Sequence, residues 1–479
     1  MFDPIHYKNK NVVVLGLARS GVSVAKLFHK LGAHVTVNDQ KERRLCPEAD
    51  ELDALGVSVI CGGHPEGLLT PDTALVVKNP GIPYSAPPVR RALELGLDVV
   101  TEVEVAYRLS PAPIIGITGS NGKTTTTTWL GEMMEAAGLR PIVAGNIGTP
   151  LCEAAQIAEP DNWIVAELSS FQLKGTEAFR PRIAVLLNVV ETHLDYHGGM
   201  DDYIASKAKL FANQTETDSA VLNMDDDVCR RLAESGAVKA QLLPFATSRE
   251  LEYGVYVEPP YPEAIEAAED GVERSIVLKE RGGSKRTILA VGELGIPGKH
   301  NVSDALAAIC ACLAAGANPE QLIEPLRGFR GVEHRLEFVC ERGGVVYYNN
   351  SKATNGTAAI IALRSFAPGR VVLIAGGLDR GSDYMELLPH LKDQAKALVA
   401  LGQTREKLAR VAELAGLPDV KIVEPEEDAE KTLRKAVREA ASLAGPGDVV
   451  LLSPACASWD MFESYEQRGR MFKQSAHTL

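Results

Sequence analysis

Residues 114–130 read IIGITGSNGKTTTTTWL, and the residue types at the centre of this stretch are those that hold phosphate. The apolar run Ile114, Ile115 and Ile117 predicts a buried strand, and Lys123 with Thr124 opens a helical segment expected to reach Leu139. A strand, a glycine turn and a helix N-terminus make an anion site, because free N–H groups and the helix dipole converge on one spot. Gly119 and Gly122 let the backbone approach a phosphate with no Cβ in the way. The expected ATP contacts are Gly119, Ser120, Asn121, Gly122, Lys123, Thr124 and Thr125, with Lys123 reaching the outer phosphates and the Thr124 hydroxyl on Mg²⁺. A strict G-x-x-x-x-G-K-[ST] would need glycine at 117, where Ile117 stands. The plain alternative is a strand-to-helix turn that happens to contain G-K-T. The strand before it and the helix after it favour a phosphate loop for ATP.

Several other elements must bring polar groups to this loop. PIVAGNIGTPL (141–151) predicts a strand and a Gly-Asn turn carrying Asn146. WIVAELSSFQL (163–173) predicts a buried strand ending in Glu167, Ser169, Ser170 and Gln172, and IAVLLNVVETHLDYHG (183–198) one ending in Asn188, Glu191, His193 and Asp195. Polar residues at the carboxyl ends of parallel strands mark the ligand edge of an open α/β sheet. Glu167 and His193 are the expected partners of a cation beside the phosphates, against the blander reading of each as a solvated or capping residue. On the next helix, DDYIASKAKLFAN, pattern alone places Lys207 and Lys209 toward solvent, since a protonated amine cannot ligate a metal. Residues 246–297 hold short β-like pieces expected to form an excursion beside the sheet. Asn301 begins an Ala-rich helix, where capping is the simpler reading and a contact to a nucleotide base the alternative.

The first third repeats the theme. NVVVLGLARSG (11–21) is a strand, a glycine turn and a helix start, and AHVTVND ends in Asn38 and Asp39. The fingerprint G-x-G-x-x-G would need glycine at 18, where Ala18 stands, so a dinucleotide reading is weak; a nucleotide diphosphate near Ser20 is compatible. The last third, from about 332, restarts the alternation of strands and helices and predicts a third α/β domain. His334 and Arg335 lie near its start.

The length of 479 residues suggests about three domains. A formal net charge of -13 argues against a general nucleic-acid binder, because neutralising a phosphate backbone requires a basic face. No apolar run approaches a membrane span, the first residues lack a signal-peptide core, and eight scattered cysteines suit reduced thiols. These features predict a cytoplasmic protein.

TGSNGKT, AGNIG, ELSSFQL, NVVETHLDYH, GKHN, HRLE, NNSKATN, AGGLDRGSD and LSPACASWDMFESYEQRG, in this order, resemble the Mur ligases of peptidoglycan synthesis, and among them the branch that adds D-glutamate. The resemblance spans the whole chain. It implies a Rossmann-like domain for a UDP-sugar (1–109), a central P-loop-type ATPase domain with a mostly parallel sheet (110–331), and a Rossmann-like C-terminal domain (332–479) that closes on ATP and brings the amino acid. It implies a monomer using ATP, D-glutamate and UDP-N-acetylmuramoyl-L-alanine, and a reaction through an acyl phosphate. Glu167 would hold one Mg²⁺ and His193 a second; Lys207 would be carbamylated by CO₂, which replaces the solvent-facing reading. Asn146, Asn79, Gly81, Ser20, Asn38 and Asp39 would hold the UDP-sugar, while Asn301, Arg335 and Asn350 would hold ATP. Lys352, Thr354, Arg380, Ser458 and Tyr465 would line the acyl-phosphate and D-glutamate side. Asn350 stands where the family usually has Asp, Asp304 where Asn is common, and Arg380 where some members have Lys. Two rivals remain: a folylpolyglutamate synthase, which should lack the first domain, and a nucleotide-regulated scaffold, which would leave SKATN and SPACAS without a task.

Overall fold

The fold is known from a computed structural model, which describes residues 3–192, 194–262 and 272–479. The chain divides into two compact units: residues 1–257, 276–288 and 303–325 form the first, and residues 258–275, 289–302 and 326–479 the second.

The first unit contains a five-stranded parallel sheet in the spatial order Ser58–Cys61, His34–Asp39, Asn11–Leu15, Thr73–Lys78, Val99–Val100. Val12, Val14, Val35, Val37, Leu75 and Val77 are buried against the helices of one face, as continuous apolar runs in parallel strands require. The helix Glu102–Leu109 leads out of this sheet. Its Glu104 is wholly buried and accepts the backbone N–H groups of Glu177, Ala178 and Phe179 while pairing with Arg108. A buried carboxylate with three donors and a guanidinium is well compensated, so this contact pins the exit of the first sheet to the second.

The second sheet has nine strands in the order Lys285–Ala290, Ser275–Lys279, Gly254–Glu258, Gln241–Ala246, Ser219–Asn223, Ile183–Leu186, Ile114–Thr118, Trp163–Glu167, Pro141–Gly145. Its five strands from Ser219–Asn223 to Pro141–Gly145, together with Gln241–Ala246, pair in parallel where they adjoin. The strands of 254–290 prolong the sheet at one edge and are not an excursion beside it. Pairing depends on the partner strand and not on the local pattern, and the parallel register of Phe245 with Val255 joins the first of them to the sheet.

The second unit carries a six-stranded sheet in the order Glu337–Arg342, Val345–Asn349, Val449–Leu452, Val371–Ala375, Ala395–Ala400, Asp419–Ile422; only its first pair is antiparallel. Apolar clusters cover both faces. Among the described residues no helix is long and apolar enough to cross a membrane. Three largely parallel α/β sheets agree with the expected fold class.

Candidate active site

The strand Ile114–Thr118 is buried along its length and delivers the turn Gly119–Gly122 to the helix Lys123–Ala136. Gly122 adopts φ +83°, a left-handed conformation, and an added Cβ there would overlap the Asp304 carboxylate. The turn is held by the exit of the next strand. Ser120 N donates to Asn188 O at 2.9 Å, Asn121 N to Asn188 Oδ1 at 2.9 Å, and Val190 N to Ser120 Oγ at 2.9 Å. The loop is therefore shaped before any ligand arrives.

Two ammonium groups converge on it. Lys123 Nζ donates to Gly119 O at 2.8 Å and Ser120 O at 3.0 Å. Lys207 Nζ donates to the same Gly119 O at 2.8 Å and lies 3.3 Å from Thr118 Oγ1. Lys207 is 2% exposed; burial, and then repulsion from Lys123, lowers its pKa from 10.5 to about 7. The solvent-facing expectation fails for both lysines of this helix. Lys209 is half-buried and donates to Lys174 O and Thr176 O. The helix Met200–Ala208 lays Tyr203, Ser206 and Lys207 against the loop, with the Lys207 amine 4.7 Å from the Tyr203 ring centre. The four-residue spacing of Tyr203 and Lys207 was the signal that both share one face.

Glu167, buried at its strand end, accepts Thr124 Oγ1 at 2.8 Å through one oxygen and Asn146 Nδ2 at 2.8 Å through the other. Among the described residues no three His, Cys, Asp or Glu side chains gather to hold a metal. The Thr124 hydroxyl and the Glu167 carboxylate offer oxygen donors at the loop, with the Asp304 carboxylate close to Gly122. Such a sparse, all-oxygen set suits Mg²⁺, which completes its shell with phosphate and water, and does not suit zinc. His193 lies outside the described residues.

Of the residues expected to hold a UDP-sugar, all but Asn146 lie at the carboxyl edge of the first sheet, and Asn146 stands at the Glu167 strand end of the second. Ser20 Oγ donates to Asn79 Oδ1 at 2.8 Å, and Asp39 accepts Leu17 N at 2.8 Å and Lys41 N at 2.9 Å. Asn38 is buried; its amide donates to Ile60 O and Gly63 O, and its oxygen meets His64 Nδ1 at 2.6 Å. Asn38 thus shapes the strand exit with its whole side chain. Gly81 is exposed, with open space around it. Asn301 is not a cap: it is the third residue of the helix Lys299–Ala314, and its amide donates to Pro297 O at 2.5 Å.

In the second unit, Arg335 follows His334, whose φ is +66°, and Arg335 Nε is buried without a hydrogen-bond partner. Asn350 has both ends of its amide engaged, accepting Leu336 N at 3.1 Å and donating to Ser453 Oγ at 3.0 Å. Lys352 Nζ lies 5.3 Å from the Tyr465 ring centre, and Tyr465 O accepts Ser351 Oγ at 2.8 Å. Thr354 is half-buried and Ser458 buried. The Arg380 guanidinium stands 5.1 Å from the ring centre of Trp459, which is 65% exposed. Arg468, absent from the sequence-based set, is buried and donates to Ser351 Oγ, Ser351 O and Cys456 O, joining the SKATN and SPACAS segments. Ala455, within SPACAS, holds φ +56°, strain of the kind that accumulates at functional loops. Sequence reasoning also missed Lys78, whose signal was a cation ending the apolar strand TALVVK.

A glycine turn with paired lysines and the Thr124–Glu167 oxygens, set in a three-sheet α/β chain, suits an enzyme that works on nucleotide phosphates. The family models agree along the chain: the Mur ligase MurD-like N-terminal domain matches residues 10–101, the Mur ligase middle domain residues 117–312, and the Mur ligase glutamate ligase domain residues 334–456. The chain belongs to the Mur ligase family. It is 48% identical over 473 residues to the UDP-N-acetylmuramoylalanine–D-glutamate ligase of Geobacillus sp. (strain WCH70), covering 99% of this chain and 98% of that protein. It is 46% identical over 474 residues to the ligase of the same name from Bacillus mycoides (strain KBAB4), with the same coverage. Among solved structures, the UDP-N-acetylmuramate–alanine ligase of Thermotoga maritima superposes with a TM-score of 0.57 at 18% identity, over 98% of this chain and 99% of that one, a likeness of fold. The match at residues 10–101 is to the domain that a folylpolyglutamate synthase was expected to lack.

Proposed function

We propose that this chain is an ATP-dependent ligase joining D-glutamate to UDP-N-acetylmuramoyl-L-alanine, in the cytoplasm and as a monomer. The observation that carries the reading is the Lys123, Lys207, Thr124 and Glu167 centre, in a chain with full-length likeness to D-glutamate ligases. The alanyl carboxylate attacks the γ-phosphorus of ATP, giving an acyl phosphate and ADP. The amine of D-glutamate then attacks the acyl carbon, loses a proton, and the tetrahedral adduct expels phosphate.

Both steps bring anions together, and the residue types answer that need. Lys123 offsets charge on the transferred phosphoryl group. Mg²⁺, bound at Thr124 and Glu167, would supply further charge neutralisation, and His193 would serve a second metal. Lys207 with a lowered pKa offers a neutral amine to CO₂; its carbamate would present oxygen where the ammonium now repels Lys123. The UDP-sugar lies along Ser20, Asn38, Asp39, Asn79, Gly81 and Asn146, with Asn38 and Asp39 acting through the loops that they hold. Arg335, with its unpaired buried Nε, takes a nucleotide phosphate, while Asn301 and Asn350 serve the nucleoside side. Lys352, Thr354, Arg380, Ser458 and the Tyr465 backbone line the D-glutamate and acyl-phosphate side, Arg380 forming a forked contact with a carboxylate. The domains take the boundaries 1–109, 110–331 and 332–479.

Phosphate release from ATP with UDP-N-acetylmuramoyl-L-alanine is the test, offering D-glutamate, L-glutamate, L-lysine and meso-diaminopimelate in turn. Release with D-glutamate alone is expected. Release with another amine moves the acceptor, and release with none of them overturns the reading.

A further inference from the structure

Lys78 ends an apolar strand and is 1% exposed, yet among the described residues no carboxylate is hydrogen-bonded to it. Its ammonium is instead surrounded by oxygen dipoles: Ile82 O at 2.8 Å, Pro80 O at 3.2 Å, Asn79 O at 3.4 Å and the Tyr196 hydroxyl at 3.3 Å. The Tyr84 ring centre lies 4.9 Å away and adds a cation–π face. Tyr196 belongs to the short helix Leu194–His197, beyond the strand Ile183–Leu186 of the second sheet, and reaches across to the same loop, donating to Pro80 O at 3.0 Å and within 3.3 Å of Ile82 O. Three of the four carbonyls of the short Asn79–Ile82 loop, those of Asn79, Pro80 and Ile82, are thereby drawn inward to one cation and one hydroxyl. Gly81 is left at the surface, and Asn79 is left facing Ser20.

We propose that Lys78 and Tyr196 are positioning residues that set the shape of the Asn79–Ile82 loop across the first and second sheets, and so fix the affinity for the nucleoside-diphosphate part of the substrate. The proposal rests on the reading, given above, that Asn79 and Gly81 face that diphosphate. Turning carbonyls toward a buried cation keeps their negative ends away from an incoming anion. A loop without the cation would present some of them to it. The arrangement also couples the loop to the central domain through a single phenol.

The surroundings make the latch responsive to pH. Burial, then the charge of Lys174, lowers the Lys78 pKa from 10.5 to about 8. Lys174 is itself paired with Asp202, which also meets His197, and burial raises the Tyr84 and Tyr196 hydroxyls well clear of that range. Lys78 thus changes charge near pH 8, above the buried Glu102 carboxyl that shares a small cavity with Lys78 and is raised to about 7, and the neutral amine holds carbonyls less firmly.

The test is calorimetric binding of UDP-N-acetylmuramoyl-L-alanine, and separately of ATP, to the full chain. Lys78→Met is expected to weaken the UDP-sugar about tenfold or more and Tyr196→Phe about threefold, with ATP binding unchanged within about twofold. The gap between wild type and Lys78→Met should narrow as pH rises from about 7 to about 9, which a structural role alone would not produce. Equal weakening of both ligands, or a Lys78→Met protein that binds the UDP-sugar as wild type does, overturns the latch alone. Should Lys78→Met fail to fold, Tyr196→Phe decides, since it removes one oxygen and keeps the ring; unchanged UDP-sugar binding then overturns the proposal. A wild type that does not bind the UDP-sugar removes the functional reading, and the latch with it.

Discussion

Lys207 offers the sharpest prediction. An ordinary lysine with a pKa of 10.5 is neutral in about three molecules per ten thousand at pH 7, whereas a pKa of about 7 leaves about half neutral. The reacting species is therefore enriched by about three orders of magnitude. Forming a carbamate from the ammonium releases two protons, so at fixed CO₂ the carbamate-to-ammonium ratio should fall about a hundredfold for each pH unit below 7. Above that point the uncarbamylated lysine is mostly neutral amine, and the ratio of carbamate to that amine changes only about tenfold per pH unit. The assay is ¹³C NMR of the full chain in ¹³C-bicarbonate, run beside activity in degassed and bicarbonate-buffered solution. A carbamate carbon should appear in wild type, vanish in Lys207→Arg and fade steeply below pH 7; activity should follow it. Burial also sets a stability sign. The folded pKa lies below the unfolded one, so the folded state binds fewer protons and stability rises with pH between about 7 and 10.5. Lys207→Met should accordingly raise the melting temperature at pH 6 more than at pH 9. A wild type without a carbamate signal, together with an active Lys207→Arg, would refute the reasoning.

Four further outcomes follow from the geometry. Lys123→Ala should lower kcat by about a thousandfold while UDP-sugar binding, measured by calorimetry, is retained. Glu167→Gln keeps the partners of Thr124 and Asn146 but removes the charge, so the Mg²⁺ needed for half-maximal activity should rise about tenfold or more. Gly122→Ala forces a side chain into left-handed backbone at a cost of about 1–2 kcal/mol and against the Asp304 carboxylate; a lower melting temperature, partly restored by adding Asp304→Ser, checks this. D-glutamate should alter the fluorescence of the exposed Trp459 by drawing Arg380 from its ring, and Trp459→Leu should abolish that change and raise the D-glutamate KM about threefold.

The sequence alone determined the elements whose information is local. A buried strand, a two-glycine turn and a G-K-T helix start encode a phosphate loop within about ten residues, because backbone freedom and the helix dipole act at that range. The same holds for Glu167 at a strand end and for the alternation that predicts three α/β sheets. The tertiary structure decided everything set by burial from another element. Lys207 reads as a solvated helix residue until Tyr203 and the loop close over it, and only that burial, with Lys123 alongside, lowers its pKa. Lys78 looks like the charged end of a strand until Tyr196, more than a hundred residues on, arrives beside it. Asn38 and Asn350 look like free ligand contacts until neighbouring backbone takes one end of each amide and a side chain, His64 or Ser453, takes the other. Desolvation and hydrogen-bond satisfaction depend on what packs against a group, and no local pattern of residues records that.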